Sequence, residues 1–176
     1  MPRRMELLLL RKRVRAVATL LDDEAPRTCK LVWQALPLEG DTYHAKWAGR
    51  ELYTLVPPLG PSPGQENAII MPIPGDVLYF DVSPDTIDLP LALRRRYPKG
   101  LVDLAVFYGR NNLLLGPAGF MPGNLFATIT EGLAEYAQAC AELFREGMVG
   151  ERFVMRRAGS ANTSLALGRP RRRRRR

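Results

Sequence analysis

The sequence predicts a mainly β protein, a closed antiparallel barrel of about eight strands carrying two helices. Three observations predict it. Short apolar runs recur along the chain, each bounded by Gly, Pro, Asn or Asp. Only two stretches place apolar residues at helical spacing, one early and one late. Strands and helices do not alternate, which argues for a barrel rather than a βαβ sheet.

Met5–Leu10 and Val14–Leu21 read as the first two strands, turning at Arg11-Lys12-Arg13. Asp22-Asp23-Glu24-Ala25-Pro26 reads as a helix start, with acids placed for the helix dipole and Pro26 in the first turn. Cys29, Val32, Trp33 and Leu36 follow at i, i+3, i+4 and i+7, and Pro37 stops the helix. Leu38–Asp41 reads as a loop. Thr42–Trp47 and Glu51–Val56 read as strands joined at Ala48-Gly49-Arg50. Alternation turns Tyr43, Ala45 and Trp47 to one face and Thr42, His44 and Lys46 to the other.

Pro57–Gly64 is a loop with four prolines and two glycines. It leads through Gln65-Glu66-Asn67 and Pro74-Gly75-Asp76 to a strand at Val77–Phe80. A short strand at Thr86–Leu89 is expected in the next loop. Arg94-Arg95-Arg96 reads either as a solvated face or as an anion site at a pocket rim. Leu101–Tyr108, Leu113–Leu115 and Asn124–Ile129 read as strands. Thr128-x-x-Glu131 fits a capping box for the second helix, whose stripe is Leu133, Tyr136, Ala137, Cys140, Leu143 and Phe144, with Gly147 as C-cap. Glu151–Arg156 is the last strand.

The chain of 176 residues is 46% apolar, enough for one domain with a real core. Of the formal net charge of +8, Arg169 and Arg171–Arg176 supply seven positives and leave +1 for the body. A uniformly basic nucleic-acid face is therefore not indicated. The expected organisation is a barrel domain over 1–157 and a disordered Arg-rich tail over 158–176. The tail would bind phosphate backbones or acidic surfaces with strong salt dependence, or it is a chance extension; it lacks aromatics for base stacking. Cys29 and Cys140 belong to no CxxC pair and read as buried free thiols. One histidine argues against a His-based metal site, so no metal or cofactor is expected. Leu7–Leu10 is too short for a signal segment or a membrane span, and a cytoplasmic location is expected.

Several segments, in order, resemble a known scaffold. Ala25-Pro26-Arg27-Thr28 is similar to the opening of the first cyclophilin helix. Asn124–Leu133 is similar to the strand that passes through Val-Glu-Gly into the closing helix. Asp23–Thr28, Leu36-Pro37, Glu66-Asn67 with Pro74-Gly75-Asp76, Tyr108-Gly109 and Gly123–Leu133 together resemble a bacterial and archaeal family of small cyclophilin-like proteins of unknown function, over roughly residues 4–157. The resemblance implies a closed barrel and a pocket. The prolyl isomerases of the superfamily place an Arg directly after a His, where this chain has His44-Ala45. Their Phe-Met-x-Gln-Gly-Gly stretch is also missing. Without the Arg that stabilises the twisting amide, isomerisation is not expected.

The candidate site is a pocket between the 61–67 loop, the His44 strand and the Tyr108 and Asn124 strand ends. His44 or Glu66 would transfer protons if catalysis occurs. Asn67, Tyr79, Tyr108, Arg110 and Asn124 would bind a small polar ligand, a carboxylate or an amide. Each has a bland alternative in turn chemistry or solvation. A peptide-binding module and a residual prolyl isomerase are the competing readings, and pairing with a second copy is open. No P-loop, GxGxxG or GxSxG is present.

Overall fold

The computed structural model describes residues 2–46, 48–83, 89–116 and 119–159. Its elements run β1 (Arg4–Leu9), β2 (Val14–Leu20), α1 (Pro26–Ala35), β3 (Leu38–His44), β4 (Glu51–Val56), β5 (Ala68–Ile69) and β6 (Asp76–Val82). They continue with α2 (Leu91–Arg96), β7 (Leu101–Phe107), β8 (Leu115–Gly116), β9 (Gly119–Phe120), β10 (Gly123–Glu131), α3 (Leu133–Glu146) and β11 (Arg152–Arg157).

Eight strands close a barrel in the order β2-β1-β11-β3-β4-β7-β6-β10, and β10 pairs back onto β2. Every pairing is antiparallel. Closure leaves no free edge among these strands. The two-residue β5 adds to the start of β10, and β8 and β9 form a separate small hairpin.

Strand alternation divides the core in two. Leu7, Leu9, Ala16, Ala18, Leu52, Val77, Val102, Leu104, Val106 and Phe126 fill the barrel with side chains of α1 (Cys29, Val32) and α3 (Tyr136, Cys140, Leu143). A second cluster lies on the outer face of β4, β6 and β7. There Leu55, Leu78, Phe80, Ala105 and Phe107 are covered by Leu89, Tyr97 and Leu114. Three strands are thus apolar on both faces, and their sequences read as continuous apolar runs.

α1 closes the end where β3 starts and β10 starts; α3 closes the end where both strands finish. Seven residues of β3 hold the ends about 20 Å apart. Pro26 sits in the first turn of α1 as expected, but Asp22-Asp23-Glu24 does not serve the helix. Asp22 instead pairs with Arg3. The expected capping box at Thr128–Glu131 does not form, because both residues remain in β10 and the N-cap of α3 is Gly132 at φ 76°. A Cβ there would come within 2.8 Å of the Arg15 carbonyl oxygen, so the strand-to-helix corner requires glycine. The segment read as a loop at Leu38–Asp41 is the first half of β3, paired with β11. A third helix, α2, joins the two expected, and Arg96 at its end is taken by Asp41. The strand read at Thr86–Leu89 falls mostly outside the described residues, as do Trp47 and the arginine tail. Cys29 and Cys140 are free and buried, as their spacing implied.

Candidate functional site

Five of the seven predicted site residues fall into two groups at opposite barrel ends. Glu66 caps α1. Its carboxylate accepts hydrogen bonds from the Arg27 and Thr28 backbone N–H groups at 3.1 and 2.8 Å, and from the Thr28 hydroxyl and the Arg27 Nε at 2.9 and 3.0 Å. Burial pushes its pKa up, but the hydrogen bonds from Thr28 and Arg27 outweigh this and hold it below the usual value. Asn124 clamps the same loop. Its Oδ1 accepts from the Glu66 N–H, and its Nδ2 donates to the Gly64 carbonyl and the Thr28 hydroxyl. Asn67, at φ 47°, donates to the Leu125 carbonyl. These three residues do come together, yet their polar atoms are spent on holding the Pro/Gly loop and the helix N-terminus.

His44 lies at the other end, at the finish of β3. Its Nε2 is 2.7 Å from the Tyr108 hydroxyl and its Nδ1 is 2.7 Å from the Ala45 carbonyl oxygen, with the Phe144 ring of α3 at 4.6 Å. A carbonyl only accepts, so Nδ1 donates and Nε2 accepts from Tyr108. Burial lowers the His44 pKa, which keeps the ring neutral near pH 7. The expected single pocket shared by His44 and Glu66 is therefore corrected: the length of the barrel separates them. Tyr79 points into the barrel at 2% exposure. Arg110 is exposed beside a depression lined by Pro72, Ile73, Pro74 and Asn111.

A different pocket sits on the outer face of the barrel. It has a volume of about 380 Å³ and lies over β3, β4, β6 and β7 under Leu114 and the paired β8 and β9. Tyr43 and Tyr53, neighbours across β3 and β4, stack at 5.4 Å and 23° and form one wall with Phe80. Leu114, Leu115, Gly116 and Met121 form the roof. Lys46 and His44 stand at the margin.

Two carboxylates lie in the floor, Glu51 of β4 and Asp103 of β7. The β4–β7 register sets Glu51 opposite Phe107 and Asp103 opposite Leu55, so both acids occupy the outer face with the Tyr53–Ala105 pair between them. Glu51 is 5% exposed, and the Asp103 Oδ1 is buried without a hydrogen-bond partner. Neither acid forms an ion pair among the described residues. Burial pushes the Glu51 carboxyl up to about 7. Burial, reinforced by the Glu51 charge, raises Asp103 well above the usual carboxylate range. Sequence reading missed both acids. The available signal was a lone Asp inside the otherwise apolar Leu101–Tyr108 strand.

Fold and pocket together define the class: a small closed antiparallel barrel with helices at both ends and an acid-floored pocket on its outer wall. The chain belongs to the DUF3830 family of proteins of unknown function, whose pattern matches residues 7–155. No curated protein matches it. Among solved structures it is similar to that of McbB in complex with tryptophan, at 19% identity and a TM-score of 0.58, over 94% of this chain and 48% of that one. The chain thus spans about half the length of that protein, and the likeness is one of fold. It is also similar to the solution structure of a hypothetical protein, AF2241, from Archaeoglobus fulgidus, at 17% identity and a TM-score of 0.46, over 89% and 95% of the two chains. No helix among the described residues is long and apolar enough to cross a membrane.

Proposed function

We propose that this protein binds a small molecule in the outer-wall pocket, through a hydrogen-bond-donating amine or amide group that reaches Asp103, with Glu51 further along the same floor. The observation that carries the reading is the buried Asp103 Oδ1 with no partner, at the floor of a ligand-sized cavity. A buried polar atom without a partner costs about 1–3 kcal/mol, and a ligand donor would remove that cost. The stacked tyrosines, Phe80 and the apolar roof suit a flat or branched apolar body. Of the two ligand types expected from the sequence, the amide fits this floor. A carboxylate would meet two acids.

The likeness to cyclophilins supports reading the barrel as a scaffold, and the missing Arg after His44 supports a reading without isomerisation. McbB was solved with tryptophan, a molecule that combines an aromatic body with donor groups. At 19% identity that complex supports only the choice of aromatic amines among the probes.

A thermal-shift screen of small aromatic amines, amides and carboxylates tests the reading. Amines or amides are expected to raise Tm, carboxylates are not, and Asp103→Asn is expected to abolish the shift. Protection that survives both Asp103→Asn and Glu51→Gln would place the ligand elsewhere and overturn the assignment.

A further inference from the structure

We infer that the depression beside Arg110 is a second binding site, for a carboxylate carried on a short branched apolar body. It shares no lining residue with the outer-wall pocket.

The depression has a volume of about 470 Å³ and lies between two short segments, Pro72-Ile73-Pro74 and Arg110-Asn111. Both are fixed from beneath. Asn112 is buried, and its Nδ2 donates to the Pro72 and Gly109 carbonyls, which ties one segment to the other. The Asp76 Oδ2 accepts from the Ile73 N–H at 2.9 Å, and the Gly75 N–H donates to the Phe107 carbonyl. The two prolines restrict the same stretch further. Walls held this way lose little freedom when a ligand binds.

These anchors leave one cation, one carboxamide and an apolar rim unused. Arg110 is exposed and makes no ion pair or side-chain hydrogen bond among the described residues. Arg27 and Arg96, by contrast, are each taken by an acid. Arg110 is the only charged residue of the lining, and Asp76 is 5% exposed and committed to Ile73. Asn111 holds a left-handed φ of 64°, and its side-chain amide makes no hydrogen bond among the described residues. Asn67, at φ 47°, spends its amide on the Leu125 carbonyl. A guanidinium and a carboxamide on one turn, with no competing acid, offer several N–H donors to a carboxylate. Met71 and Ile73, on the facing segment, are 67% and 64% exposed. Apolar surface beside an unpaired cation selects a ligand that carries both an anion and an apolar body. A neutral amide would leave the Arg110 charge unmatched, and an inorganic anion would leave Ile73 in water.

NMR chemical-shift mapping on the isotope-labelled full chain tests this, with isocaproate and its neutral isostere isocaproamide. An exposed arginine binds weakly, so the acid adds little to Tm below its Kd and is read by shift changes instead. The acid is expected to move the Ile73, Arg110 and Asn111 amides and to bind at least about fivefold more tightly than the amide. Arg110→Gln, at an exposed position, is expected to weaken the acid by the same factor. Asn111→Gly, which keeps the left-handed backbone, is expected to weaken it about twofold. Acetyl-alanyl-leucine and its C-terminal amide separate two sources of the same chemistry. Tighter binding of the peptide acid than of isocaproate assigns the site to a peptide C-terminus, and weaker binding assigns it to a free acid. Equal binding of isocaproate and isocaproamide, acid binding unaltered by Arg110→Gln, or shifts that miss Ile73 and Arg110 would each overturn the inference. The Tyr53 and Asp103 amides report the outer-wall pocket in the same spectra, so failure at one site is read apart from failure at the other.

Discussion

At the scale of single residues, Glu51 is the clearest case of a side chain held at a cost. Its carboxyl is 5% exposed and has its pKa pushed up to about 7. In the unfolded chain it titrates near 4.5. Between those values the folded protein holds a proton that the unfolded chain has lost. Stability therefore falls as pH rises from about 4.5 to about 7, and stays low above it. The displacement amounts to about 3 kcal/mol at most. Glu51→Gln keeps the shape without the charge. It is expected to raise Tm at pH 8 and to change it little at pH 4.5, measured by thermal unfolding across that range. A variant with equal Tm gains at both pH values would show that Glu51 is not the titrating group. His44 behaves differently. Its ring is satisfied by Ala45 and Tyr108, and its depressed pKa keeps it uncharged, so it fits a structural part of the wall rather than a proton carrier.

At the scale of elements, the instructive case is the N-terminus of α1. Helices leave their first N–H groups unpaired, and a local side chain usually accepts them. Here Ala25 offers none, and the Glu66 carboxylate arrives from a loop far along the chain to accept from Arg27 and Thr28. Glu66→Ala is expected to cost about 1–3 kcal/mol in denaturant unfolding, because it orphans two backbone donors and the Thr28 hydroxyl. The same change should leave in place the Tm shift that a pocket-binding amine or amide produces, since neither the 61–67 loop nor α1 lines the outer-wall pocket; loss of that shift would tie the loop to the pocket. The 61–67 loop was legible as something fixed and specific, through its prolines and its Glu-Asn pair. Its role was not. A capping acid that comes from another part of the chain has no spacing signature, whereas Thr128-x-x-Glu131 had one and is strand. Pairing with β2 and β6 outcompeted the local helix signal there.

At the scale of the whole molecule, the barrel was legible because each strand is short, apolar and punctuated by Gly, Pro or Asn. Closure itself was not written in any one segment; it rests on β10 pairing with both β6 and β2. The pocket was less legible still. Glu51 looks like the polar first residue of one strand and Asp103 like an isolated acid in another. Only the register of β4 against β7 sets them on one face. The last strand ends at Arg157. Removing residues 160–176 is expected to leave Tm unchanged within about 1 °C. Any retention of the full chain on single-stranded DNA at low salt should vanish with the same deletion, since the body carries a formal charge of only +1. Retention by the truncated chain in a salt-gradient binding assay would relocate the anion-binding surface to the barrel.

The floor and the roof of the pocket have different owners. The floor acids sit on β4 and β7, whose other face fills the barrel, so the backbone under them is fixed by the core. The roof is held by Asn112, which accepts from the Arg50 N–H and donates to the Pro72 and Gly109 carbonyls, and by the Leu113 and Leu114 N–H groups, which donate to the Ala48 and Ile70 carbonyls; past Leu114 the β8–β9 hairpin reaches over the cavity. Chemistry and shape are therefore free to evolve separately. Relatives that keep Glu51, Asp103, Asn112 and the buried Leu114 but exchange residues 115–121 would form a series with one recognition principle and many ligand outlines, which makes that hairpin the natural place to diversify a library.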